Sequence, residues 1–299
     1  MTNLRAYISI SLAMIIWSSS FILTQIGLES FAPVTLVTIR MSLATVLLFL
    51  LGKLTGKLQR LKKQDLLLFV VGGFFQPFCY FICEAYGLQL VSPTIASVIL
   101  STIPLFSPLF AFLFIRERVT WTTLLGILIS FLGVLLLVTE KEHISVHPMG
   151  LVLLLLAVFS AVMYTIILRK IPPTYSNVSI VFYMEAFSVL FFIPTFFVVD
   201  VQTIGALTIK WESVLSIVLL AVFASVAAYL LFAEAVRHIG VTRANAFCNI
   251  QPGSTALLMW IFFKEALPWV KIGAIAIVIL GLFLSQMPLH RTKKIKQRL

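Results

Sequence analysis

The chain has 299 residues, 61% of them hydrophobic and 11% charged, with a mean hydropathy of +1.09 and a formal net charge of +11. A soluble domain of this length has too little interior to hide so much apolar side chain, so a bilayer must solvate most of it. The positive charge points to no nucleic-acid partner, because the basic residues sit in short connections and a tail rather than in a folded basic domain.

Ten apolar runs are long enough to cross ~30 Å of hydrocarbon: 6–26, 33–52, 66–86, 92–115, 120–139, 149–169, 177–199, 212–236, 242–263 and 268–287. The first follows Arg5 as a secretory signal would. It lacks a small-x-small cleavage site and leads directly into a second run, which reads as a retained helix. Seventeen of the 22 Lys and Arg residues fall in the connections that share a side with the termini, four fall on the other side, and Arg40 lies inside a span. The positive-inside rule then puts both ends in the cytoplasm. The expected organisation is a first five-helix half at 1–139, a second at 140–288 and a basic cytoplasmic tail at 289–299.

Polar residues within these runs need a reason. Span 1 carries Trp17 and Gln25, and span 2 carries Arg40. Span 3 has Gln76, Tyr80 and Glu84 at i, i+4 and i+8, a single polar stripe on a greasy helix. Arg40 and Glu84 could form a mutual ion pair, or face a ligand; the depths allow both. Trp17, Gln25, Tyr164 and Tyr183 are candidates to complete a cavity with aromatic walls, and packing is an equal reading for each alone. Glu185 lies deep in span 7 with no basic neighbour within a turn or two, and is the candidate for coupling to protons; a glutamate that stays neutral throughout is the other reading. Glu234, close to the end of span 8, reads as paired with Arg237 at the interface. Asn245 and Asn249 share a face of span 9 with Pro252, as Ser97 and Ser101 do with Pro104 on span 4. Ordinary small-residue packing accounts for the serines, and a cavity for the amides, which are costly against lipid. The two prolines are helix-break and gating candidates. Cys79, Cys83 and Cys248 lie in apolar runs and read as space-filling.

The stretch from Ala96 to Gly133 occurs twice. Pro104, Glu117, Trp121 and Gly133 recur as Pro252, Glu265, Trp269 and Gly281, all at an offset of 148. A constant offset over that length marks a duplicated unit. Five spans per half is an odd number, so the second half enters from the opposite side and the repeats are inverted.

The doubled ends PLFSPLFAFLFIRE and PGSTALLMWIFFKE, the tryptophan and serines of span 1 and the arginine of span 2 resemble the drug/metabolite transporter superfamily, with two EamA-type repeats. The second copy departs in having Pro252-Gly253 where an apolar residue more often follows the proline. The resemblance implies ten helices around a central cavity, alternating access, and movement of small metabolites. The expected fold is therefore an all-α integral membrane protein of ten helices in two inverted five-helix repeats. The expected function is secondary transport of an amino acid or similar polar or amphipathic solute across the inner or plasma membrane. A nucleotide-sugar or drug carrier is the alternative within transport. No Walker A motif or metal triad is present and no cofactor is implied, which argues against an ATP-driven pump. An intramembrane enzyme would need histidines or clustered carboxylates at one depth. His143, His147, His238 and His290 all lie at loops or span ends.

Overall fold

The computed structural model describes residues 3–91, 93–117, 119–138, 147–202, 208–263 and 268–286. Glu265 and the tail at 289–299 lie outside the described residues, so the counterpart of Glu117 is not placed. Within them every regular element is helical. Seven stretches are long and apolar enough to cross a membrane, and Trp121–Leu136 and Ile272–Gln286 are shorter apolar helices. Large apolar side chains such as Leu67, Leu280 and Phe283 are left exposed on their outer faces, as lipid contact requires. The chain is an all-α, multi-span membrane protein.

The first half contains α1 (Asn3–Leu28), α2 (Pro33–Leu54), α3 (Leu66–Gly73), α4 (Tyr80–Leu90), α5 (Pro93–Leu100), α6 (Ile103–Ile115) and α7 (Trp121–Val138). The second contains α8 (Pro148–Lys170), α9 (Asn177–Val199), α10 (Trp211–Leu219), α11 (Ala228–Ile239), α12 (Val241–Ala246), α13 (Ile250–Phe263) and α14 (Trp269–Gln286). A π-helical segment, Phe74–Cys79, joins α3 to α4, and another, Leu220–Ala227, joins α10 to α11. Neither interruption is expected from the hydropathy pattern. The expected fourth and ninth spans are each broken, at Ser101–Thr102 and at the 3₁₀ turn Phe247–Asn249. The breaks precede the prolines. Pro104 stands in the first turn of α6 and Pro252 is the third residue of α13, where a missing N–H leaves no hydrogen bond unmade.

Packing relates the two halves. Helix α2 packs on α9 and α7 on α14, while α1 packs on α11 as α8 does on α4. The tightest joint is α7 against α14. A Cβ on Gly126 would lie 2.6 Å from the Gly281 carbonyl oxygen, and one on Gly133 would lie 2.9 Å from that of Ala274. Those contacts exchange when 148 is added to one partner and subtracted from the other, as in an isologous interface. Ser130 Oγ donates to the Val278 carbonyl at 3.2 Å across that same separation of 148. Trp121 and Trp269 both stay exposed at the starts of these helices, where an amphipathic ring suits a membrane surface.

Candidate functional site

A chamber lies between the halves, bounded by α1, the α3–α4 span, α6, α8, α11 and the broken α12–α13 span. Its free volume is about 30 Å³, roughly the share of a single water in the liquid. Six of its fifteen described lining residues are aromatic. Trp17 meets Tyr229 at 5.2 Å and Phe232 at 5.1 Å between ring centroids, and Tyr80 meets Phe81 edge-on at 5.1 Å. Trp17 is fixed by its indole N–H, which donates to the Ala224 carbonyl at 2.9 Å. Ala224 lies in the second π segment, where the altered ladder leaves a carbonyl free for such a donor.

The polar portion of the wall is Ser20, Gln76, Glu84, Thr165, Asn245 and Gln251. Gln76 has extended backbone angles (φ −147°, ψ 120°) inside the first π segment, so the interruption turns its side chain inward. Asn245 is held on both sides: its amide donates to Ser107 Oγ at 2.7 Å and accepts from Thr165 Oγ1 at 3.3 Å. The Glu84 carboxyl accepts from the Tyr80 hydroxyl at 3.3 Å.

Arg40 sits behind this wall. It is 1% exposed, its Nε donates to Ser225 Oγ at 2.8 Å, and its guanidinium carbon lies 4.1 Å from the centre of the Phe81 ring. The direct bridge from Arg40 to Glu84 is not formed, because Ser225 and Phe81 fix the guanidinium elsewhere. Glu84 and Glu185 nevertheless both lie within electrostatic range of it, so Glu185 gains the basic neighbour that the linear pattern concealed. Around Arg40 stand buried polar atoms with no hydrogen-bond partner: its own Nη2, both Glu185 carboxyl oxygens and the hydroxyls of Tyr164 and Tyr229. Unsatisfied groups at this density are unusual in a purely structural core. Asn249 is fully buried at the break before α13, and its amide too is without a partner.

Five sequence candidates, Trp17, Gln76, Tyr80, Glu84 and Asn245, therefore line one chamber. Arg40, Tyr164 and Glu185 form the layer behind it. Ser101 is buried and turns back onto the Val98 carbonyl at 2.6 Å. Two candidates lie elsewhere. Gln25 is exposed near the end of α1, and the Tyr183 hydroxyl donates to the Gln59 carbonyl at 2.7 Å. Tyr229, Phe232 and Gln251 belong to the chamber without standing out in the sequence; for Gln251 the signal was a polar residue directly before Pro252.

Contacts between the halves stand at both ends of the helix bundle. At the end rich in Lys and Arg, the Tyr175 hydroxyl donates to Asp65 at 2.8 Å, Ser176 Oγ to the Lys57 carbonyl at 2.7 Å, and Gln59 Nε2 to the Thr174 carbonyl at 2.7 Å. Arg237, within the second half, donates to the Tyr175 carbonyl and to Asn177, so it does not pair with Glu234, which accepts from Asn177 instead. At the opposite end Asp200 accepts from the Thr35 N–H at 2.8 Å, and Lys210 bridges to Glu29 at 2.6 Å. The Glu29 carboxylate raises the Lys210 ammonium above its ordinary value through that hydrogen bond.

Known proteins share this plan. The model of the EamA-like transporter family matches residues 4–139 and again residues 148–287. The "Uncharacterized transporter YetK" of Bacillus subtilis (strain 168) is 28% identical over 95% of this chain and 87% of its own length. A "Probable terminal-alkyne amino-acid exporter" of Streptantibioticus cattleyicolor is 22% identical over 94% and 93%. A solved crystal structure superposes with a TM-score of 0.78 at 15% identity, covering 95% of this chain and 99% of its own, which is a likeness of fold.

Proposed function

We propose, from the premise that this chain belongs to the EamA-like transporter family, that it is a secondary transporter working by alternating access between two inverted halves. Its cargo is a small organic metabolite with a polar head and an apolar body, an amino acid or a similar solute. The observation that carries this reading is the polar–aromatic chamber in a bundle held at both ends by contacts from one half to the other. At about 30 Å³ it is far below the ~300 Å³ at which ligand pockets begin. A solute can enter only when a mouth opens and the chamber widens. Rocking of related halves about the α7–α14 joint would open either mouth while holding the other shut, and the duplicated, mutually packed elements supply the two bodies.

Ten spans with both termini in the cytoplasm follow from the basic bias, with the Lys- and Arg-rich end facing inward in the plasma membrane. Trp17, Gln76, Tyr80, Glu84 and Asn245 are the substrate-facing candidates, Ser101 and Asn249 mark the helix breaks beside the chamber, and Glu185 is the coupling candidate. The amino-acid exporter among the relatives supports the choice of cargo. Counterflow in proteoliposomes tests the reading. Vesicles preloaded with a mixture of unlabelled amino acids should accumulate at least one labelled member transiently, and Asn245→Ala should diminish it. Equal uptake by empty vesicles across the whole mixture would count against amino-acid transport.

A further inference from the structure

The charges around the chamber bear on what it binds, on the footing of the transporter reading just given. The buried cluster contains one fixed cation, Arg40, and two carboxyl groups, Glu84 and Glu185. With both carboxyls ionised the cluster carries one uncompensated negative charge inside the membrane. An uncompensated charge at that depth costs several kcal/mol, so the resting cluster holds one proton on the pair. The other groups facing the cluster do not alter the count. They are the phenols of Tyr80, Tyr164 and Tyr229 and, beside Tyr80, the Cys248 thiol. The remaining charged groups of α2 and α11, namely Lys53, Glu234 and Arg237, lie at the basic end.

Geometry divides the cluster in two. Arg40 donates to Ser225, packs on the Phe81 face and does not line the chamber, whereas Glu84 does, amid aromatic rings and neutral amides. A carboxylate flanked by aromatic rings recognises an ammonium group, since ring faces attract cations and the carboxylate supplies the counter-charge. A bare anion would meet Glu84 with no cation on the wall to offset it.

We infer that the substrate is recognised through a protonated amine at Glu84, and that each amine bound displaces one proton from the Glu84–Glu185 pair. Arg40 is the fixed internal counter-charge of the two carboxylates. The exchange balances: R–NH₃⁺ enters, the carboxylic acid of the pair gives H⁺ to water at the open mouth, and the cluster stays neutral with both carboxylates ionised. Release of the amine restores the proton. Glu185, toward which no donor is directed, is the natural holder of that proton, while Glu84 accepts from Tyr80. A substrate carboxylate is accommodated by the neutral amides and is dispensable; where one is present it balances the ammonium itself and the proton stays on the pair.

Three matched probes test this: phenethylamine, phenylalanine and 3-phenylpropionate. Purified protein in weakly buffered solution is titrated with each, reading thermal shift and proton release. The same three are offered to proteoliposomes containing a trapped pH dye. Phenethylamine should raise the melting temperature and release about one proton per ligand bound; phenylalanine, whose own carboxylate balances its ammonium, should raise it with little proton release, and the acid should do neither. Glu84→Gln, which keeps an acceptor for Tyr80, should weaken phenethylamine by about tenfold or more; Glu185→Gln should leave binding but remove the proton release. Should Glu84→Gln fold poorly, proton release by the unaltered protein still decides the matter. Binding and flux of 3-phenylpropionate equal to those of phenethylamine would overturn amine recognition while leaving the transporter intact. Amine binding without proton release would overturn the exchange. Flux of all three indistinguishable from that of empty vesicles, with no thermal shift, would count against both readings.

Discussion

Glu117, one of the residues the chain repeats, acts as a helix cap in trans. Its carboxylate accepts from the backbone N–H of Val241 at 3.1 Å and of Thr242 at 3.0 Å, the first turn of α12. Those donors have no partner within the helix, and an anion there also meets the positive end of the helix dipole. Gly240 turns the chain into α12 with φ at 87°, and a Cβ on it would sit 3.3 Å from Glu117 Oε2. The repeated glutamate thus fastens the end of α6 to the start of the equivalent span in the other half. Glu117→Ala should cost about 1–2 kcal/mol, as loss of a helix cap does, and lower the melting temperature in detergent by a few degrees. Glu117→Gln should recover some of it, since the amide oxygen still accepts. An unchanged melting temperature for the alanine variant would show that solvent caps α12 equally well. The chemistry of Trp17, Tyr80 and Glu84 was visible in the sequence because polar atoms and ionisable groups stand out against lipid-facing leucine. Tyr229 and Phe232 did not stand out. An aromatic residue on an apolar helix looks the same whether it walls a chamber or fills a core, and only its neighbours decide.

At the scale of elements, α7 meets α14 backbone to backbone, and glycine makes the approach possible. A Cβ on Gly281 would lie 2.3 Å from the Ser130 backbone nitrogen, whereas one on Gly273, in the same helix, meets nothing within 4 Å. Backbone cannot move aside as a side-chain tip can, so even alanine at Gly281 must push the two helices apart. Gly281→Ala should therefore destabilise by about 1–3 kcal/mol and lower yield. Gly273→Ala should be neutral or stabilise by up to about 1 kcal/mol through helix propensity. Thermal melts of the pair in one detergent decide it; equal behaviour would contradict the close approach. The apolar helices and the duplication, with Gly133 and Gly281 recurring at one offset, were legible, because lipid dictates hydropathy and a fixed offset survives divergence. The two π segments were not. They depend on how a span is pressed by neighbours far along the chain, as when the Trp17 indole takes the Ala224 carbonyl 207 residues away. The same blindness placed Gln25 and Tyr183 in the cavity, since a lone polar residue on a helix carries no direction of its own.

For the whole molecule the central claim is that the two mouths open in turn. Each end is held by contacts from one half to the other, but with unequal strength. The basic end holds the Tyr175–Asp65, Ser176–Lys57 and Gln59–Thr174 bonds. The opposite end holds the Asp200–Thr35 cap, the Lys210–Ser30 and Ser213–Ile26 bonds, and an ion pair whose two side chains are each 52% exposed. An exposed pair contributes only about 0–1 kcal/mol, so the Glu29–Lys210 mouth should open the more readily. Electron-electron distance measurement between spin labels tests the alternation most directly. Cys79, Cys83 and Cys248 are first replaced by serine. One sample is then labelled at Lys57→Cys and Thr174→Cys across the basic mouth, and a second at Glu29→Cys and Lys210→Cys across the other. Both are followed from acidic to alkaline pH, with and without phenethylamine. The account predicts that any condition lengthening one distance leaves the other short, with the Glu29–Lys210 pair showing the larger open population at rest. Both distances lengthening together in the same condition would contradict it.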